Sequence, residues 1–149
     1  MDKEEALLIK HESLRLKPYK CSVGKLTIGV GRNLEANGIS KGEAMYMLRN
    51  DLARSHAELE KFNFGIEPGA RKAALVNMLL NLGLPRFKTF KNLIMALELK
   101  HYVIAAEEML DSKWALQVGK RAHELARMVE TNKWPDELSE DKGGGYVPD

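Results

Sequence analysis

Residues 11–33, HESLRLKPYKCSVGKLTIGVGRN, decide the fold class of this chain. Upstream, DKEEALLIKHE carries the marks of a helix: Asp2 as its cap, Glu5 in the capping-box position three residues on, and Leu7, Leu8, Ile9 and His11 forming an apolar side. That helix should end near Glu12. From Leu16 to Gly31 the pattern changes, because Pro18, Gly24, Gly29 and Gly31 oppose a helix while Tyr19, Val23, Thr27, Ile28 and Val30 favour strands. The stretch predicts a hairpin or a three-stranded sheet.

Working outward, NLEANGIS reads as a loop with an Asn-Gly turn. Ser40 then caps a helix with Glu43 as box partner, running to about Lys61 with Ala44, Met47, Leu48, Leu52 and Leu59 inward. NFGIEPG breaks it. ARKAALVNMLLNLG is too apolar for a surface helix and predicts the buried centre of a bundle, stopped by Gly83 and Pro85. FKTFKNLIMALEL, HYVIAAEEMLDSKWALQ and GKRAHELARMVETNKW follow as amphipathic segments, and PDELSEDKGGGYVPD reads as a mobile acidic tail. The fold class is α+β, mainly α. One domain over 1–134 is expected, with a small β-containing N-terminal lobe and connecting helix over 1–61 and a helical lobe over 66–134. A cleft between lobes is the default place for a ligand, and 135–149 form the tail.

Composition narrows the function classes. With 44% hydrophobic and 30% charged residues, the 149-residue chain can bury a core without staples. A single cysteine, Cys21, excludes an internal disulfide. The N-terminal residues contain no apolar run of the kind a signal peptide or membrane anchor needs. Residues 1–134 carry 22 Lys and Arg against 16 Asp and Glu, whereas 135–149 carry one Lys against five acids. A basic body favours an anionic polymer or surface, simple solubility being the other reading. No basic stripe is interleaved with aromatics and no helix concentrates base-reading side chains, which argues against nucleic acid. No histidine or second cysteine stands at ligand spacing from Cys21, so neither metal nor cofactor is expected.

The chemistry concentrates on Glu12, Cys21 and Thr27. Glu12 sits at the edge of an apolar stripe and at the negative end of its helix; partial burial and the dipole would both disfavour its charged form, as a general acid at neutral pH requires. Strand alternation puts Thr27, Gly29 and Gly31 on one face, bare beyond one hydroxyl, as if something must approach it closely. A turn with an odd number of residues at Val23-Gly24-Lys25 would set Cys21 directly opposite Thr27.

The run Glu12, Leu14-Arg15-Leu16-Lys17, Tyr19-Lys20, Gly24, Thr27-Ile28-Gly29-Val30-Gly31 resembles the active-site signature of the phage-type lysozymes. RKAALVNMLLNLG resembles that family's central helix, and AAEEMLDSKWALQVGKRAHELARMVETNKW its C-terminal substrate lobe, closing at Trp134. The resemblance implies a lysozyme-like fold and an endolysin, a muramidase that hydrolyses peptidoglycan between N-acetylmuramic acid and N-acetylglucosamine and releases phage from the host. It implies Glu12 as proton donor, Thr27 as the residue holding the attacking water, and Cys21 in a second acidic position that is often aspartate. Asn81, Gln117 and Arg121 become substrate-binding candidates, with Arg121 matching an arginine that approaches the catalytic glutamate. Arg32 stands where many members have histidine, either pairing with an acid or tying sheet to helices. Cys21 is left with three readings: thiolate, orienting thiol or bystander. The implied setting is a monomer held in the host cytoplasm until a holin opens the membrane. The other functional reading is a non-catalytic wall-binding module on the same fold.

Overall fold

The computed structural model describes residues 1–139. Residues 140–149, most of the segment read as a tail, lie outside the described residues; at its start Asp136–Leu138 form a single 3-10 turn. By contacts the chain divides within one long helix into a unit over Met1–Leu48 and a unit from Arg49 onward.

In the first unit, helix α1 spans Lys3–Glu12. Its capping box is formed: Glu5 N donates to Asp2 Oδ1 at 2.8 Å and Asp2 N donates to Glu5 Oε2 at 3.1 Å. The expected inward face is not found, since no residue of α1 is buried and Leu7 and Leu8 are each 52% exposed. A unit with three short strands has too little apolar surface to cover it.

Strands β1 (Arg15–Lys20), β2 (Leu26–Gly29) and β3 (Arg32–Asn33) form an antiparallel sheet in chain order. Between the pairs Arg15↔Gly29 and Tyr19↔Thr27 the first strand holds extra residues, Pro18 among them. A bulge is where a strand tolerates a residue without N–H. The β1–β2 connection is the three-residue loop Ser22-Val23-Gly24: Gly24 N donates to Cys21 O at 2.8 Å, and Cys21 N to Lys25 O at 3.0 Å. Gly24, with φ +81°, takes the left-handed position that closes such loops. The loop has an odd number of residues but lies one residue earlier than Val23-Gly24-Lys25. Thr27 therefore opposes Tyr19, and Cys21 opposes Lys25, so sulfur and hydroxyl are diagonal neighbours on one face and not a direct pair.

The Asn-Gly turn is replaced by a one-turn helix, α2 (Leu34–Asn37), because the Asn33 side chain accepts from Ala36 N at 3.0 Å and caps it. Helix α3 (Lys41–Glu60) begins at the predicted box, with Glu43 N donating to Ser40 Oγ at 3.1 Å and Ser40 N to Glu43 Oε2 at 2.7 Å. Of the residues expected inward on α3 only Leu59 is buried; Ala44, Met47, Leu48 and Leu52 are exposed. Periodicity marks a face, but burial needs a neighbour to cover it.

The second unit is a helical bundle built around α4 (Ala70–Leu82), whose Ala74, Leu75, Val76, Met78 and Leu79 are almost fully buried. Gly83 ends it, and Pro85 lies in the first turn of α5 (Leu84–Phe87). Then come α6 (Lys91–Glu98), α7 (Tyr102–Leu110), α8 (Lys113–Val118) and α9 (Lys120–Thr131). The segment read as one helix across 101–117 is two, because the Ser112 hydroxyl accepts from Ala115 N at 3.1 Å and starts α8. Helices α4 and α7 pack on α9. Arg71 secures the end of α9: Nε donates to Val129 O at 2.6 Å, Nη2 to Glu130 O at 3.1 Å, and the guanidinium lies 3.6 Å from the Tyr102 ring centre. These bonds satisfy carbonyls that a helix end leaves without partners.

Candidate active site

Glu12 is the last residue of α1, and the chain leaves it through Ser13, which has φ +66° and ψ 158°. That region is costly for any residue with a Cβ. Glu12 is exposed, so the partial burial expected from its position on the stripe is absent. Its carboxylate instead lies on the backbone of the β2–β3 loop. A methyl group built on Gly31 would fall 2.7 Å from Glu12 Oε2 and 2.9 Å from Cδ. Gly31 itself has φ +68°. The closely approached glycine face foreseen in the sequence is thus occupied at Gly31 by the chain's own carboxylate.

Cys21 and Thr27 form the second cluster. Cys21 is a half-buried free thiol, held below its ordinary range chiefly by the backbone N–H of Val23, then that of Lys25 and the Thr27 hydroxyl, with desolvation opposing them. Thr27 is only 3% exposed, so its face is not the open surface expected. Its hydroxyl donates to Lys25 O at 2.8 Å. It has one proton, which goes either to that carbonyl or to sulfur. While it goes to the carbonyl, Oγ1 presents lone pairs to any other partner.

Of the two roles weighed for Arg32, pairing with an acid is observed: it forms an ion pair with Glu43, the box residue of α3, and thereby joins β3 to that helix. The guanidinium and the Ser40 N–H hold the Glu43 carboxyl down at about 2, against an ordinary 4.5. A folded-state value below the unfolded one stabilises fully above the unfolded range and is lost as pH falls through the folded value. The Tm advantage of wild type over Glu43→Gln is therefore expected to be constant near neutrality and to shrink between about pH 4.5 and pH 2. A difference unchanged over that window in thermal melts would contradict this.

An apolar groove lined by Ile28, Val30, Ile39, Tyr46 and Met47 lies beside the Arg32–Glu43 pair. None of Glu12, Cys21 and Thr27 lines it.

In the second unit, Asn81 Oδ1 accepts from the indole N–H of buried Trp114 at 2.7 Å. Arg121 donates to Asn77 Oδ1 through Nη2 at 2.7 Å and Nε at 3.1 Å. Asn77 and Asn81 are both exposed, one turn apart on the solvent strip of a helix whose opposite side is buried. Each has its carbonyl engaged, and among the described residues its NH2 group has no partner and can donate outward. Gln117 is exposed on α8, and Trp134 is 44% exposed beyond α9. Sequence reading missed Asn77. Its signal was its place four residues before Asn81 in an apolar run.

The site's elements are a helix-end carboxylate seated on a glycine turn and a thiol–hydroxyl pair in the adjoining hairpin. Residues 9–130 match the family model described as phage lysozyme. The chain belongs to the phage lysozyme family. It is thereby a muramidase-type glycoside hydrolase. Among its relatives, the endolysin of Acyrthosiphon pisum secondary endosymbiont phage 1 is 29% identical over 123 residues, covering 80% of this chain and 84% of that protein. Probable T4-type lysozymes 1 and 2 of Dictyostelium discoideum are 25% and 26% identical over 134 and 152 residues, covering 83% and 80% of this chain and 78% and 89% of theirs. Family membership places the substrate among the peptidoglycans. Among the described residues, no helix is long and apolar enough to cross a membrane.

Proposed function

We propose that this chain is an endolysin that hydrolyses the β-1,4 bond between N-acetylmuramic acid and N-acetylglucosamine, lysing the host cell to release phage. The observation that carries this reading is the seat of the Glu12 carboxylate at Gly31, in the loop that continues the Thr27 strand. Glu12 gives its proton to the departing glycosidic oxygen. With no second carboxylate among the residues matched to the active-site signature, water attacks the oxocarbenium-like centre directly, the inverting course. While its own proton goes to Lys25 O, Thr27 Oγ1 accepts a hydrogen bond from that water and so turns a water lone pair toward the sugar. Cys21, held toward its thiolate by neighbouring N–H groups, adds negative charge beside the water and takes up the proton that the water loses as its bond to the anomeric carbon forms. Asn81, Gln117 and Arg121 offer N–H donors to the acetamido and lactyl oxygens of the glycan. The protein works as a monomer, accumulating in the cytoplasm until a holin admits it to the wall.

Mass spectrometry of fragments released from purified sacculi tests the reaction. The expected product carries muramic acid at a free reducing end. An anhydro-muramic product, or no release at all, would overturn the reading.

A further inference from the structure

We infer that Gly31 is a positioning residue, whose missing side chain is the seat that fixes the Glu12 carboxylate for proton delivery. This rests on the proposed role of Glu12. Within its own unit the carboxylate has no hydrogen-bond or ion-pair partner, so no polar contact there explains its placement. What meets it is backbone. An added Cβ at Gly31 would lie 2.7 Å from Oε2, 2.9 Å from Cδ and 3.0 Å from Cγ of Glu12, so three successive atoms of the side chain run across the glycine. The other end is set by Ser13, whose left-handed φ of +66° immediately follows Glu12 and whose N–H closes α1 on Ile9 O at 2.8 Å. A helix end and a hairpin loop 19 residues apart in sequence are thus shaped around one carboxylate. An exposed glutamate otherwise samples several rotamers, and a general acid that is misplaced by an ångström loses rate steeply.

A residue with a Cβ at position 31 brings two separate costs, the clash with Glu12 and the positive φ of +68°. Asparagine separates them, since it tolerates the left-handed region far better than alanine but carries the same Cβ. Glu12 can yield to that Cβ by moving its flexible end, so the fold survives while the carboxylate leaves its seat. Gly31→Ala and Gly31→Asn are each expected to lower kcat at least tenfold with KM within about twofold of wild type. Gly31→Asn should recover most of the Tm that alanine loses. Steady-state kinetics on soluble glycan fragments, paired with thermal melts, reads all three quantities. The inference is overturned if Gly31→Asn restores kcat together with Tm, or if either variant keeps the wild-type kcat. Such a result would leave the Glu12 reading standing, because that reading fails only if Glu12→Gln remains active or wild type releases no reducing-end muramic acid.

Discussion

Glu12→Gln reduces turnover by about a thousandfold with little change in KM. Glutamine keeps the length and shape of the side chain but has no acidic proton, so the glycosidic oxygen would depart as an alkoxide. A positioned general acid contributes roughly 10²–10⁴-fold, and a thousandfold loss corresponds to about 4 kcal/mol of barrier. Stability should scarcely move, because Glu12 is exposed and has no polar partner within its unit for the substitution to break. Initial rates of muropeptide release, with Tm recorded on the same preparations, check both halves. A glutamine variant that digests sacculi at the wild-type rate would remove Glu12 from the mechanism.

Phe87→Ala has the largest expected effect on stability, about 3–5 kcal/mol. Phe87 is fully buried in the second unit and meets Phe62 edge-on, with ring centres 5.4 Å apart at 68°. Phe62 in turn stacks on Phe64 at 5.0 Å. Truncation removes one ring from this set and leaves a cavity between α5 and the loop before α4. For a chain of this size each kcal/mol shifts Tm by about 2–4 °C, so a fall of about 10 °C is expected by calorimetry. Activity per folded molecule at low temperature should persist, since Phe87 is no part of the proposed catalytic cluster. A Tm within 2 °C of wild type would mean that the site collapses around the missing ring.

What the sequence determined by itself is what acts within a few residues along the chain. The capping boxes at Asp2–Glu5 and Ser40–Glu43 and the stop at Gly83 need only local hydrogen bonds and backbone freedom, and all are present. The burial of α4 was legible too, because a helix apolar on nearly every side can only sit at a centre. Only tertiary structure decided the rest. Whether the apolar stripes of α1 and α3 are covered depends on neighbours that periodicity does not name, and most of those residues are exposed. A shift of the first loop by one residue set Cys21 diagonal to Thr27. The seat of Glu12 on Gly31, the Arg32–Glu43 pair and the Arg121–Asn77 bonds join residues 11 to 44 positions apart. Such partners are chosen by how helices and strands pack, and side-chain type alone leaves many of them chemically equivalent.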